Sequence, residues 1–253
     1  MAGYFSFARF YDGLMEDARY EDRCRYLLEL AERHNHDMGI TLDLACGTGT
    51  LTELLAQNGV DVFGIDASAE MLSEAIQKSA AKGLNILYLK QKMQNIDLYG
   101  TINTCICTLD GINHMTDIND VARTFDRVGL FMDDGGLFVF DANTVYKHQK
   151  ILADNTFVYE NENVFCVWQN TLCKDNIVNV DLDFFEEENG VYYRLCESFC
   201  ERAYSDEQIR SMLAKAGFEV EGVYGDLSFN KPCDTEERVI YVARMKKSRN
   251  RKS

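Results

Sequence analysis

A glycine-rich turn at residues 42–49 carries the clearest chemical signal in the sequence. It reads Leu-Asp-Leu-Ala-Cys-Gly-Thr-Gly, follows a short apolar run typical of a strand, and precedes a segment with helical spacing. Gly47 and Gly49 allow the backbone to approach a ligand closely, and the N–H groups at the start of the helix offer hydrogen-bond donors and partial positive charge. The turn therefore predicts a ligand site at the carboxyl end of a strand in a parallel sheet.

The residues around this turn narrow the type of ligand. A dinucleotide site usually carries a third glycine in the pattern G-x-G-x-x-G, but Thr52 stands at that position. Asp66 ends the second predicted strand, 19 residues after Gly47, where a carboxylate can accept hydrogen bonds from ribose hydroxyls. An adenosyl ligand without a pyrophosphate fits both observations, so an NAD-linked oxidoreductase is the weaker hypothesis.

The elements that must position these residues follow from hydrophobic periodicity. Apolar runs at 40–45, 60–66, 86–89, 102–109 and 137–141 alternate with helical patterns at 51–57, 68–82 and 118–131, which predicts a parallel sheet covered on both faces. Residues 155–202 instead show period-two segments and Asn189-Gly190, a pair that favours a hairpin turn, so we expect an antiparallel insertion. A helix over 206–216, with Ser205 as its cap, and strands over 218–224 and 238–245 then complete the pattern.

Composition bounds the kind of protein. The 253 residues are 46% hydrophobic, enough for a substantial core. The formal net charge of −15 disfavours nucleic acid as a partner. We expect a cytoplasmic protein without a membrane partner, because no run of about 18 apolar residues occurs. The nine cysteines are an odd number with no paired Cys or His cluster, which predicts reduced thiols in the core and no metal site.

Several motifs taken together resemble the first two motifs of class I S-adenosylmethionine-dependent methyltransferases. They are Asp43-Leu-Ala-Cys-Gly-Thr-Gly49, Gly64-Ile-Asp66-Ala-Ser68 and Met71-Leu72. The resemblance continues through Cys107–His114 and Asp134–Asp141, covers about residues 40–142, and at Ala216-Gly217-Phe218 is similar to bacterial small-molecule enzymes of this family.

The resemblance implies a fold, a cofactor and a substrate class. The fold is α/β, a Rossmann-like, doubly wound sheet of seven mostly parallel strands with an inserted antiparallel β subdomain. The implied cofactor is S-adenosyl-L-methionine and the implied acceptor is a small molecule. A non-catalytic adenosyl-ligand binding protein, and a methyltransferase acting on a macromolecule such as tRNA or protein, remain alternative hypotheses, and the sequence does not reveal the oligomeric state.

We divide the chain accordingly into five segments. They are an N-terminal helical lid at 1–39, the cofactor-binding core at 40–145, the antiparallel insertion at 146–203, the C-terminal completion of the core at 204–245, and a basic tail at 246–253.

The resemblance also implies roles for individual residues. Asp43 and the Gly47–Gly49 turn face the methionine moiety, Asp66 takes the ribose, and Ala67 and Met71 flank the adenine. Lys92 stands where the family often has an acid that meets the adenine amino group, so we expect that contact to fall to Gln94 or to backbone groups. The full implied cofactor-binding set is Tyr11, Asp43, Ala45, Gly47, Thr48, Gly49, Asp66, Ala67, Met71, Met93, Gln94, Leu109, Asp110 and Asn113.

The candidate catalytic residues are His114, Asn113 and Tyr11. His114 is the best-placed group for accepting a proton from the acceptor, although methyl transfer depends strongly on in-line positioning as well. Residues 151–190 contain nine acidic residues and one basic residue, which suggests an acidic canopy that favours a cationic or amine acceptor. We expect specificity to reside in the N-terminal aromatic residues and in the insertion, where the candidates are Trp168, Tyr192, Tyr193 and Arg194.

Overall fold

A computed structural model describes residues 18–160, 164–188 and 190–246. The helices are α1 (Tyr20–Arg33), α2 (Thr50–Gln57), α3 (Ala69–Ala81), α4 (Ile118–Phe131) and α5 (Asp206–Lys215). The strands are β1 (Ile40–Leu44), β2 (Asp61–Asp66), β3 (Tyr88–Lys90), β4 (Ile102–Cys107), β5 (Met132–Asn143), β6 (Thr156–Glu160), β7 (Val164–Leu172), β8 (Ile177–Glu188), β9 (Val191–Arg202), β10 (Phe218–Gly225) and β11 (Arg238–Met245). Short helical turns occur at Met93–Asn95, Lys147–Leu152 and Lys174–Asn176.

The main sheet has seven strands in the order β10-β11-β5-β4-β1-β2-β3. Strands β1 to β5 pair in parallel, and β11 runs antiparallel to both β5 and β10. The chain moves outward from β1 in both directions, so a crevice forms at the carboxyl ends of β1 and β4, where ligands bind in such sheets. This topology confirms the predicted fold class, a doubly wound and mostly parallel sheet.

Apolar side chains cover both faces of the main sheet. Leu27 and Leu30 of α1 and Leu55 of α2 pack on one face, and Phe125 of α4 and Leu213 of α5 pack on the other. Helix α3 begins where the sequence predicts, because the Ser68 side chain accepts a hydrogen bond from the Met71 N–H. Ser205 caps α5 in the same way and completes a capping box with Gln208.

A second, antiparallel sheet has the order β6-β7-β8-β9. One face of β8, which carries Val178, Val180, Leu182 and Phe184, is buried. In the register of β8 and β9, Leu182 lies opposite Glu197 and Val180 lies opposite Phe199. Directly opposed residues share a face of a sheet, so Glu197 and Phe199 lie on the inner face.

Some details differ from the sequence predictions. The helical spacing over residues 68–82 predicts that Ile76 is buried with Met71, Leu72 and Ala75, but in the structure Ile76 is 53% exposed and the other three occupy the buried face. Strand β5 begins five residues before the predicted position, directly after α4. The prediction that the nine cysteines are thiols in the core holds for only some of them. Four cysteines are exposed, namely Cys173, Cys196, Cys200 and Cys233.

Two predicted segments fall partly outside the described residues, namely the start of the N-terminal lid, with Tyr11, and the basic tail beyond Lys246. Within the described ranges, no helix has the length and apolar character needed to cross a bilayer.

Candidate active site

A cavity of about 530 Å³ lies at the carboxyl ends of the central strands. This volume falls within the range of roughly 300–1,000 Å³ typical of small-molecule sites. The predicted site residues that line it are Ala45, Gly47, Asp66, Ala67, Met71, Met93, Gln94, Leu109 and His114. Residues that the sequence reasoning did not select also line it, and they are Ser68, Glu70, Lys92, Gly111, Glu197 and Phe199.

Asp66, at the end of β2, joins the two loops that form one wall of the cavity. Its Oδ2 accepts a hydrogen bond from the Gly47 N–H at 2.9 Å, and its Oδ1 accepts one from the Ser68 N–H at 2.8 Å. Burial raises the pKa of Asp66, while the backbone N–H groups lower it. Because a carboxylate has about four acceptor positions, Asp66 retains the capacity to accept further hydrogen bonds from a ligand.

The β1–α2 turn fits a closely bound ligand. Ala45 and Gly47 have φ angles of 61° and 54°, in the left-handed region. A Cβ atom added at Gly47 would meet no atom within 4 Å, so a side chain there would project into the cavity. The bare backbone at Gly47 therefore forms part of the cavity wall.

Five described residues of the predicted cofactor set do not line this cavity, and three of them belong to the end of β1, the β1–α2 turn and the start of α2. The carboxylate of Asp43 lies beneath the turn and accepts a hydrogen bond from the Thr52 hydroxyl at 2.6 Å. Burial raises the pKa of Asp43 to about 7. Thr48 is buried and lies within 3.4 Å of the Lys78 ammonium group, and Gly49 packs against Tyr88, whose hydroxyl would lie 2.6 Å from an added Cβ.

Asp141 of β5 shapes the loop that follows β4. Leu109 and Asp110 both have left-handed backbones, with φ angles of 58° and 60°. Their N–H groups each donate a hydrogen bond of 2.8 Å to the Asp141 carboxylate. Asp141 is buried and pairs with Arg23 at 3.3 Å and with Arg238 at 3.0 Å. This buried ion-pair network holds the loop against the cavity.

Asp110 belongs to the same network rather than to the cavity wall. Its Oδ1 lies 3.1 Å from the Arg238 guanidinium, and its Oδ2 accepts a hydrogen bond from the Asn143 amide at 3.1 Å. Burial by itself would raise the pKa of Asp110, but the positive charges of Arg238 and Lys147 outweigh it and hold that pKa below its usual range.

Asn113 is likewise turned away from the cavity. Its side-chain amide donates hydrogen bonds to the carbonyl oxygens of Asn143 at 3.2 Å and Arg202 at 2.9 Å. Its carbonyl oxygen accepts one from the Asn143 N–H at 2.8 Å. Asn113 therefore connects the β4 loop to the ends of β5 and β9, and its side chain does not line the cavity.

His114 is the predicted catalytic residue that does reach the cavity. Its side chain is 47% exposed, and its Nε2 lies 3.8 Å from Oε1 of Glu201, whose side chain is only 6% exposed. The other carboxylate oxygen of Glu201 lies 3.9 Å from Nε2 of the fully buried His148. The ring of Phe199 lies 5.1 Å from the His114 ring, centroid to centroid. His114 is thus bordered by an aromatic ring and a buried carboxyl group.

The insertion contributes to the cavity through β9 and not through the residues named as candidates. Tyr192 and Tyr193 are exposed, Arg194 pairs with Asp183 at 2.8 Å, and the Trp168 indole donates a hydrogen bond to Asn170 at 2.7 Å. The inward side chains of β9 instead follow the alternation Leu195, Glu197, Phe199 and Glu201. No local sequence signal identifies them, because the inner face of β9 is set by its pairing with β8.

A larger cavity of about 840 Å³ lies elsewhere, near the start of α5 and the loop before β11. Its lining includes Tyr146, Arg210, Lys231 and Cys233. It contains none of the residues that the sequence assigned to cofactor binding.

Comparison with known proteins agrees with this geometry. The Methyltransferase domain family matches residues 41–136. A Bacillus subtilis (strain 168) protein named as a methyltransferase, YqeM, is 32% identical, and the match covers 97% of this chain and 98% of that protein. The crystal structure of an S-adenosylmethionine-dependent methyltransferase from Clostridium acetobutylicum ATCC 824 has a TM-score of 0.89 and 32% identity, over 95% of this chain and 98% of that one.

A more distant structure shares the fold. It is an amino pentose methyltransferase from Micromonospora echinaspora with bound S-adenosylmethionine, which has a TM-score of 0.75 at 16% identity over 92% of this chain and 95% of that one. The chain belongs to the class I S-adenosylmethionine-dependent methyltransferases, and it is an enzyme whose cofactor is S-adenosylmethionine.

Proposed function

We propose that this enzyme methylates a small molecule that binds between the β4 loop and strand β9. The observation that carries the proposal is the continuity of one cavity from Gly47 and Asp66 to His114 and Phe199. A cavity of about 530 Å³ that must also hold the cofactor supports a small acceptor. The amino pentose methyltransferase with the same fold has an acceptor of this size class.

The cofactor-binding residues follow from the cavity wall. Asp66 accepts hydrogen bonds from the ribose, and Ala67 and Met71 border the adenine. Lys92 stands where the family often has an acid, so the side-chain amide of Gln94 contacts the adenine amino group instead. When bound, S-adenosylmethionine supplies a methyl group on a positively charged sulfur. Two acidic residues, Asp66 and Glu70, line the cavity together with Lys92.

His114 is the proposed proton acceptor. It is the imidazole on the cavity wall, and the Glu201 carboxyl group behind it stabilises the positive charge that the ring gains on accepting a proton. Asn113 is a positioning residue and takes no part in proton transfer, because its amide fixes the loop that carries His114.

The test is the release of S-adenosylhomocysteine from the full-length enzyme supplied with S-adenosylmethionine. Three fractions of a cell extract are compared as acceptors: ultrafiltered small molecules, RNA and protein. We expect release with the small-molecule fraction and slower release from His114→Gln, which cannot accept a proton at the same position. Release only with RNA or only with protein would contradict a small-molecule acceptor, while leaving the assignment as a methyltransferase intact.

A further inference from the structure

The inner face of β9 supplies a carboxylate without a cationic partner to the cavity. Glu197 is half-buried, and among the described residues no hydrogen bond or ion pair involves its side chain. Nearby acids differ in this respect, since Asp110, Asp141 and Asp226 all pair with Arg23 or Arg238. Burial raises the pKa of Glu197, as expected for a carboxylate partly removed from water without compensation.

Glu201, on the same face of β9, adds a second carboxyl group close to the cavity. Its nearest partners in the described chain are the Asn143 amide at 3.4 Å and the imidazoles of His114 and His148. Nε2 of His148, which is fully buried, has no hydrogen-bond partner there. In the described ranges neither Glu197 nor Glu201 forms an ion pair with a lysine or arginine, and burial raises the pKa of Glu201 although the positive charges of Lys147 and Arg238 oppose it. A positive charge that entered this end of the cavity would therefore be stabilised.

Phe199 lies between these two acids along the strand and faces the cavity next to His114. An aromatic face attracts a cation through its quadrupole, more strongly when the cation is removed from water. An aromatic ring flanked by carboxyl groups is suited to bind an alkylammonium ion.

We propose that the acceptor is an amine, bound as its ammonium ion by Glu197 and Phe199. This inference rests on the proposed small-molecule function and specifies its substrate class. Five of the nine acids counted in residues 151–190 do not carry this proposal, because Asp154, Glu160, Asp175 and Asp181 are exposed and Asp183 is paired with Arg194. The acids that matter are on β9.

The chemistry of such an acceptor requires the base that the cavity provides. An ammonium nitrogen has no lone pair, so it first gives one proton to His114, with Glu201 stabilising the imidazolium. The free lone pair then forms the N–C bond as the methyl carbon separates from the sulfur, and the sulfonium becomes a neutral thioether. The product is a methylated ammonium ion, and the proton on His114 passes to solvent through the open side of the cavity.

The experiment measures the charge preference of the acceptor end directly. The enzyme is saturated with S-adenosylhomocysteine, and binding of benzylamine, benzyl alcohol and benzoate is measured by ligand-observed NMR. These probes share a ring and differ in charge. We expect benzylamine to bind at least about fivefold more tightly than benzyl alcohol, a difference of about 1 kcal/mol, with benzoate the weakest.

Variants assign that preference to the site. Glu197→Gln should bring the affinities for benzylamine and benzyl alcohol to within about twofold, without changing the affinity for S-adenosylhomocysteine. Asp181→Asn is the matched control, because Asp181 lies on β8 of the same sheet and is exposed, and it should retain the preference. Equal binding of the two probes, tighter alcohol binding, no detectable amine binding, or an unchanged preference in Glu197→Gln would overturn the inference. The extract assay tests the small-molecule function separately, because it scores transfer to any acceptor.

Discussion

Replacement of Asp66 tests the cofactor site at its most connected residue. Its carboxylate holds the Gly47 N–H at 2.9 Å and the Ser68 N–H at 2.8 Å, and it lines the cavity where we place the ribose. In Asp66→Ala the ribose hydroxyls lose their acceptor, at a cost of about 1–3 kcal/mol for buried polar groups left unpaired. The dissociation constant for S-adenosylhomocysteine should therefore rise about 5-fold to 150-fold.

Calorimetric titration with S-adenosylhomocysteine measures this effect without turnover. Asp66→Asn keeps one carbonyl oxygen and should have an intermediate affinity. Asp61→Ala is the matched control, because Asp61 is an exposed acid at the opposite end of the same strand, and its affinity should equal that of the wild type. Circular dichroism establishes that each variant is folded. Wild-type affinity in a folded Asp66→Ala protein would refute the assignment of Asp66 to the ribose.

Three further predictions concern the turn, the buried acid beneath it and the ion-pair network. Gly47→Ala and Gly59→Ala each place a side chain on a left-handed backbone with open space around it, so each should lower the unfolding free energy by about 1–2 kcal/mol. In calorimetry, only Gly47→Ala should weaken cofactor binding. Burial raises the pKa of Asp43 from 3.8 to about 7, so the folded protein favours its protonated form. In urea titrations without cofactor, the unfolding free energy of the wild type relative to Asp43→Asn should therefore fall by a few kcal/mol as the pH rises from about 4 to about 7. A difference between the two proteins that does not change with pH would contradict this. Arg238→Met removes the ion-pair partner of Asp110 and one of the two arginine partners of the buried Asp141, and it should cost about 3–5 kcal/mol in urea unfolding. Arg210→Met, at an exposed ion pair, should cost under about 1 kcal/mol.

The elements and the cofactor end of the cavity were predictable because local signals determine them. The helix over Ile118–Phe131 and the strand over Arg238–Met245 occur where periodicity places them, and Ser68 caps its helix as its residue type suggests. Residues that follow strand ends, such as Gly47 and Asp66, must lie together once the strands are parallel and adjacent. For these positions the type of residue and its place in the pattern were sufficient.

The direction of side chains in the β4 loop could not be predicted in the same way. Asp110 and Asn113 follow β4 just as Asp66 follows β2, yet neither side chain lines the cavity. Asp110 turns toward Arg238, which is 128 residues away, and Asn113 turns toward the backbone of Arg202, which is 89 residues away. Those partners are set by the pairing of β5 with β11 and by the position of β9, which a local pattern does not contain.

The acceptor end of the cavity required the register of the second sheet. In β9, Leu195, Glu197 and Phe199 alternate with Cys196, Ser198 and Cys200, and the sequence alone does not distinguish the inner face from the outer one. The pairing of β9 with the apolar face of β8 determines which side chains face inward, because Glu197 lies opposite Leu182. The aromatic residues at the tip of the hairpin, Tyr192 and Tyr193, were attractive candidates by type but lie in solvent.

A crystal structure of the enzyme with S-adenosylhomocysteine tests the central claim most directly, because at least two cavities in the described part of the chain are large enough for the ligand. We predict that the ligand occupies the cavity of about 530 Å³, with its ribose on Asp66 and its sulfur facing His114 and the inner side of β9. Binding in the cavity of about 840 Å³ beside Tyr146 and Arg210 would contradict the account. A ligand in the predicted cavity with its sulfur directed away from β9 would also contradict it.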